Sequence, residues 1–329
     1  MRGRDDVIDR SVVVSGTAHP DLARAIAAAG RFETVAADIE RFPDGELHVA
    51  VDERVAGAHV HLVQPTGAPA DRHLLELLLL VDACRRAGAR TVTAVVPYFG
   101  YARQDRRTSP GEAVGLRVVA DMLGGARVDR IVTVDPHAPT LEAVVTVPVT
   151  LVTAVPPLAR ALASALPADP VLVAPDLGAV KLAERYAAVL DLPVAVVRKA
   201  RLSATEVRAD QVVGAVAGRT PVIVDDMIST GATIAAAAAV LARAGARERM
   251  VIAATHGVFS GAVVDALDRL SVDRLLVTDT LPDVRRRLPA ADVISVAGLL
   301  AGALHEPARF SPGADLPPGV ASGLQRHLR

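Results

Sequence analysis

The chain is 329 residues long, 51% hydrophobic and 22% charged, the balance of a folded globular protein with room for about two cores. Lys+Arg of 36 against Asp+Glu of 37 leave a formal charge of -1, which excludes a general polyanion binder, since that needs a basic excess. A single cysteine, Cys84, excludes an internal disulfide framework, and the apolar run 74–80, broken by Glu76, is too short to cross a bilayer. Residues 1–10 are charged rather than apolar, unlike a secretory signal, so the expected location is cytoplasmic, with no membrane and no nucleic-acid partner.

Along the chain, short β-branched runs predict strands at 12–15, 59–64, 91–96, 130–134, 170–174, 194–197, 221–224, 250–255 and 274–278. Ala/Leu/Arg segments between them predict helices at 20–29, 71–87, 115–123, 155–166, 179–190, 233–244 and 262–270. Several of these stop at a glycine before the next strand, as at Gly88 and Gly245. Apolar strands without alternation, spaced by helices, imply parallel sheets covered on both faces, so the class is α/β. The strands are too many for one compact sheet, and prolines 148, 156 and 157 place a boundary within 147–157. From His305 onward, Pro and Gly dominate and the stretch reads as a surface tail.

Ligands of open parallel sheets collect beyond the C-terminal ends of the strands, so the loops there carry the chemistry. In chain order, Phe42-Pro-Asp-Gly-Glu46 is a turn with a ring and two acids, Asp44 and Glu46. After the 91–96 strand come Tyr98, Phe99 and Tyr101, a ring cluster in a chain with 2% aromatics and no Trp. Arg103 and Gln104 follow with planar donors and Asp105 with an acceptor; rings and guanidinium together can hold a purine and its phosphates, or the rings can simply fill the sheet edge. Asp135-Pro-His137 ends the next strand, and its imidazole is either a divalent-metal ligand or structural.

Arginine supplies nearly every cation: of the 36, only Lys181 and Lys199 are lysines. A lysine that survives such a bias suggests a task for a compact, flexible point charge, which discounts reading Val197-Arg-Lys-Ala-Arg201 as a plain basic turn. The most specific stretch is 222–233, where an apolar strand delivers Asp225 and Asp226, then Ser229, Thr230, Gly231, Ala232 and Thr233 open an Ala-rich helix. Backbone N–H groups and hydroxyls at a helix start suit a phosphate, and the paired carboxylates suit sugar hydroxyls or the waters of a magnesium ion. The alternative is a capped βα turn with dipole-facing acids. No Gly-Lys pair exists, which excludes a P-loop kinase.

Together and in this order, the motifs resemble the ribose-phosphate diphosphokinase (phosphoribosyl pyrophosphate synthetase) family over about residues 12–300, including the stretches Gln64-Pro-Thr-Gly67 and Thr255-His-Gly-Val-Phe-Ser-Gly261. The resemblance implies two type I phosphoribosyltransferase-like α/β domains, each a largely parallel sheet flanked by helices. They would be 1–152, nucleotide-binding and completed by 297–329, and 153–296, bearing the ribose-phosphate loop and the catalytic loop. It implies transfer of the diphosphate of ATP to the 1-hydroxyl of ribose 5-phosphate, giving phosphoribosyl pyrophosphate and AMP, with magnesium as cofactor. Lys199 and Arg201 would be catalytic. Phe42, Asp44 and Glu46 from a neighbouring subunit of a homo-oligomer would hold ATP with Arg103, Gln104 and Asp105. His137 and Asp176 would be metal ligands, while Asp225, Asp226 and residues 229–233 would bind ribose 5-phosphate. Ser229 departs from the acid that many members carry, which still permits phosphate binding. The alternatives are a non-catalytic, nucleotide-sensing relative or a phosphoribosyltransferase. The latter needs neither the nucleotide-like elements nor a duplicated domain.

Overall fold

In the computed structural model the described residues are 10–201, 207–261 and 263–306. The first part runs β1 (Ser11–Ser15), α1 (Pro20–Gly30), β2 (Glu33–Val35), β3 (Ala37–Arg41), β4 (Leu47–Val51), β5 (His59–Val63) and α2 (Ala70–Arg86). It continues through β6 (Thr91–Val95), α3 (Gly115–Gly125), β7 (Arg130–Val134), the short α4 (Leu141–Val144) and β8 (Val149–Val152). The second part runs α5 (Val155–Ala163), β9 (Pro170–Ala174), α6 (Val180–Leu190), β10 (Val194–Arg201), β11 (Val207–Val213), β12 (Thr220–Ile228) and α7 (Ala232–Arg243). It ends with β13 (Met250–Gly257), α8 (Val263–Asp268), β14 (Val272–Thr278), α9 (Val284–Arg287), β15 (Asp292–Ile294) and α10 (Ala297–His305).

Two parallel sheets result, ordered β2-β1-β5-β6-β7-β8 and β11-β10-β9-β12-β13-β14-β15. Only the β10–β11 pairing within them is antiparallel, and β3 and β4 form a separate antiparallel hairpin. The two-faced burial read from the runs is visible residue by residue. Val12 and Val14 join the core with α2 and α3, whereas Val13 joins a different core with α1 and α10. On β12, Val222 and Val224 face the same core as Val13, and Ile223 faces a third core under α7. Strand alternation therefore produces layers: α2 and α3, the first sheet, a shared layer of α1, α10, α5 and α6, the second sheet, then α7 and α8.

Besides the unexpected strands β2, β11 and β15 and the short helices α4 and α9, three stretches differ from the sequence expectation. The β3–β4 hairpin was expected only as a turn at 42–46; its strands alternate intermediate and exposed residues, so they lack the continuous apolar signal. β8 lies inside the expected boundary segment, directly after Pro148, and pairs with β7. His305 does not start a tail but ends α10, where its Nε2–H donates to the Gly30 carbonyl at 3.0 Å. α10 packs on α1, β7 and β8, and Arg130 fastens its end by donating to the carbonyls of Ala303 (3.0 Å) and Glu306 (2.9 Å). The segment 307–329 lies outside the described residues. No helix among the described residues is long and apolar enough to cross a membrane.

Candidate active site

A cleft of about 1510 Å³ opens where the C-terminal strand ends of the two sheets face one another. The first sheet contributes the loop after β6 (Arg103, Asp105, Arg106), the loop after β7 (Asp135 to His137) and the end of β8. The second contributes Asp176, Gly178, Lys181 and Arg185 around the start of α6, and the continuous stretch Asp225 to Ile234 from β12 into α7. Asp225, Asp226, Ser229, Thr230, Gly231, Ala232, Thr233, His137, Asp176, Arg103 and Asp105 are thus brought to one space.

The two sheets meet chemically at Asp226, whose Oδ2 lies 2.6 Å from His137 Nδ1 across a separation of 89 positions. That hydrogen bond raises the imidazole pKa of His137 despite partial burial. Burial acts to raise Asp226, but the bond and charge of His137, with Asp225, outweigh it and hold that carboxyl below the usual range. Burial first, and then the charge of Asp226, push Asp225 well above it. The adjacent acids are therefore unequal, one held ionised and one biased toward the neutral acid. Such a pair can offer both an acceptor and a donor to neighbouring hydroxyls.

The turn that follows is shaped for an anion. Gly231, at φ +79, is the N-cap of α7 and has no side chain to cap it; Thr230 Oγ1 accepts from Ala232 N at 3.4 Å, and the helix start lines the cleft. Glycine is required there, because a Cβ would also sit 3.2 Å from the Ala266 Cβ. The loop between β13 and α8 braces this turn: Phe259 N donates to Ile228 O and Ser260 N to Ser229 O, each at 3.0 Å, and the two serine hydroxyls lie 2.7 Å apart. At the start of α6, Asp176 Oδ1 accepts from Gly178 N (2.8 Å) and Ala179 N (3.2 Å), an arrangement that leaves Oδ2 for a ligand.

The floor is a buried polar joint in which Asp135, a member of the strand-end motif with His137, turns away from that ring to meet the 255–261 stretch, while Asp226 takes the ring. Asp135, at φ +33, accepts from Ala154 N (2.8 Å) and Thr255 Oγ1 (3.0 Å), and Arg185 comes within 3.7 Å of it. Its carbonyl accepts from His256 Nε2 at 3.2 Å, and the other ring nitrogen of His256 meets the Thr280 hydroxyl at 2.8 Å. Burial lowers the pKa of His256, against the opposing charges of Asp135 and Asp226. The sequence singled out the Asp135-Pro-His137 motif and the stretch 255–261 separately, with no local signal that they meet. Gln64, by contrast, is structural: its Oε1 accepts from Ala18 N and its Nε2 donates to buried Glu76.

Other expected site residues fall elsewhere. Phe42, Asp44 and Glu46 form the tip of the β3–β4 hairpin, outside the cleft, with Phe42 47% exposed. Gln104 is tied into the turn before α3, its N–H to Tyr101 O and its carbonyl accepting from Leu116 N. Phe99 is in the core beneath α2 and α3, and Tyr98 lies edge-on to His256 at 5.1 Å. Lys199 and Arg201 are in the strand β10, which shifts register against β11 between Arg198 and Ala200; their side chains lie outside the described residues. Among the described residues, no three His, Cys, Asp or Glu side chains converge as a ready cation site.

Comparison with known proteins is consistent along the chain. Residues 11–126 match the N-terminal domain of ribose phosphate pyrophosphokinase, and residues 201–306 match the phosphoribosyl synthetase-associated domain. A ribose-phosphate pyrophosphokinase of Gloeobacter violaceus is 41% identical over 308 residues, 92% of each chain. The chloroplastic ribose-phosphate pyrophosphokinase 1 of Arabidopsis thaliana is 41% identical over 88% of this chain and 73% of its own. The crystal structure of phosphoribosylpyrophosphate synthetase from Mycobacterium smegmatis superposes with a TM-score of 0.82 at 36% identity, over 90% of this chain and 97% of that one.

Proposed function

The chain belongs to the ribose-phosphate pyrophosphokinase family, and from that premise we propose that the cleft transfers the diphosphate of ATP to the 1-hydroxyl of ribose 5-phosphate. The observation that carries the reading is the joining of an unequal acid pair, a glycine-led helix start and cations from both sheets in one space. Asp225 and Asp226 hold the ribose hydroxyls, and residues 229–233 hold the 5-phosphate through backbone N–H groups and the hydroxyls of Ser229, Thr230 and Thr233. Arg103, Gln104 and Asp105 take the nucleotide, completed by Phe42, Asp44 and Glu46 of a neighbouring subunit in a homo-oligomer. Their position at the exposed hairpin tip supports a reach between subunits.

The 1-oxygen of the sugar attacks the β-phosphorus of ATP, the bond from that phosphorus to the bridging oxygen of the α-phosphate breaks, AMP departs and the hydroxyl proton is released. Such a transfer depends on in-line placement and on cancelling negative charge in the transition state. Lys199 and Arg201, on the arm formed by β10 and β11, supply that cancellation when the arm covers the substrates, and closure excludes water that would otherwise hydrolyse ATP. His137 and Asp176 fit a magnesium ion. Asp176 keeps one oxygen free, His137 keeps Nε2 free, and magnesium takes one or two protein groups beside phosphates and waters. When bound, it neutralises polyphosphate charge and orients the chain. The division into 1–152 with 297–329, and 153–296, and a cytoplasmic location belong to the same proposal.

Incubation with ATP, ribose 5-phosphate and magnesium, followed by mass spectrometry, should yield AMP and phosphoribosyl pyrophosphate together. Lys199→Ala should lose turnover by about three or more powers of ten while still binding ATP, because its contacts act mainly in the transition state. Near-normal turnover in that variant would remove Lys199 from the mechanism, and no AMP from the unaltered protein would sink the reading as a whole.

A further inference from the structure

Lys181 is the second of two lysines in a chain whose other 34 cationic side chains are arginines, and the mechanism above leaves it without a task. It stands in the first turn of α6 and lines the cleft. One turn further along the same face, Arg185 reaches Asp135 at the end of β7. That contact fixes which way this face of α6 looks, toward the first sheet. Lys181, about 6 Å nearer the helix start, lies on the same wall as Asp176 and across from the loop carrying His137.

Charge pairing in the cleft sharpens the point. Arg106 is 3.8 Å from Asp105, and Arg185 is held by Asp135. Among the described residues, Arg103 and Lys181 are the cleft-lining cations with no ion pair or hydrogen bond, and they come from opposite sheets. Two uncommitted cations on facing walls, with Asp176 and His137 on the same walls, suit one ligand that carries several negative charges and a divalent cation. The 5-phosphate cradle, residues 229–233, contains no cation and binds through hydroxyls and backbone N–H groups. An ammonium has three donors around a compact charge and can move between separate phosphate oxygens, where an arginine fork matches one planar pair.

We propose that Lys181 contacts the polyphosphate chain of the nucleotide, opposite Arg103, and thereby selects a triphosphate donor over its monophosphate product. The inference rests on the reading of the cleft given above and adds a residue to it.

The test uses the full chain with Lys181→Gln and Lys181→Arg, and Glu248→Gln, an exposed residue before β13 and outside the cleft, as control. Binding of α,β-methylene-ATP and of AMP, each with magnesium, is measured by calorimetry alongside KM for both substrates. Lys181→Gln should weaken the triphosphate analogue about 10- to 100-fold, the range of a charge-assisted hydrogen bond, while AMP affinity and KM for ribose 5-phosphate change less than about twofold. Lys181→Arg should restore part of that loss, and Glu248→Gln should change neither affinity. An equal loss for AMP and the analogue, a rise in KM confined to ribose 5-phosphate, or no change would each overturn the assignment. These binding measurements decide the role of Lys181 even if turnover is absent, whereas failure of the unaltered protein to form AMP overturns only the catalytic reading.

Discussion

His61, on β5, is a buried imidazole with neither ring nitrogen hydrogen-bonded among the described residues. Phe32 packs 4.9 Å from it, and Arg130, His59 and His305 stand near enough to repel a proton. Burial first, and then the charge of Arg130, push its pKa down to about 4 from the ordinary 6.5. The sign follows from linkage: between these values the unfolded chain takes up a proton that the folded chain refuses, so stability falls as pH falls through this window. The full effect is about 3 kcal/mol. A thermal unfolding series from neutral to about pH 4.5 should show a falling Tm, and His61→Leu should flatten that limb. An unaltered slope in the variant would assign the acid sensitivity to other groups. The residue scale is also where sequence reading was most exposed to error. Asp225, Asp226 and the 229–233 turn were legible because adjacent acids and a glycine turn after an apolar run carry their own chemistry. The joining of Asp135 with Thr255 and His256 was not, because the two motifs lie more than a hundred positions apart and only the packing brings them together.

At the scale of elements, the phosphate turn shows how a strand, a loop and a helix share one constraint. Gly231 must hold φ +79 to turn β12 into α7, and its missing Cβ makes room for Ala266 on α8. Gly231→Ala should therefore cost about 1–2 kcal/mol in chemical denaturation and raise KM for ribose 5-phosphate more than about tenfold, with KM for ATP much less affected. Equal rises for both substrates would show a general loss of structure rather than a damaged cradle. The elements visible in sequence were those with unbroken apolar runs, since a strand covered on both faces has no polar alternation to confuse with a loop. β3 and β4 escaped because one hairpin face is solvated, and β8 escaped because the proline at its start reads as a breaker. α10 escaped because small residues dominate it and the Pro/Gly-rich stretch begins at its end; it is held by the burial of Ala297, Leu300, Ala301 and Leu304 in the shared core and by Arg130 and His305 binding backbone carbonyls.

For the whole molecule, the layer shared by the two sheets decides the behaviour. One core holds Val13 and Val132 of the first sheet together with Leu172, Val222 and Leu276 of the second, bridged by Leu22, Leu158, Tyr186 and Leu300. A shared interior of this kind cannot be lost on one side without exposing apolar surface on the other. Differential scanning calorimetry of the full chain should then give a single unfolding transition, and Leu158→Ala should shift that one peak down, at a cost of about 3 kcal/mol, without splitting it. Two resolved transitions would mean that the sheets are independent in stability.

The sequence alone determined the α/β class, most of the parallel strands, the absence of a P-loop and the chemistry waiting at several strand ends, since these depend on local period and turn composition. Only the tertiary structure decided that His137 meets Asp226, that Asp135 joins the sheets through Thr255 and His256, and that Lys181 stands uncommitted in the same cleft as Arg103. The physical reason is range: propensity and hydrophobic pattern act over a few residues, whereas these meetings are set by how whole layers pack against a common core.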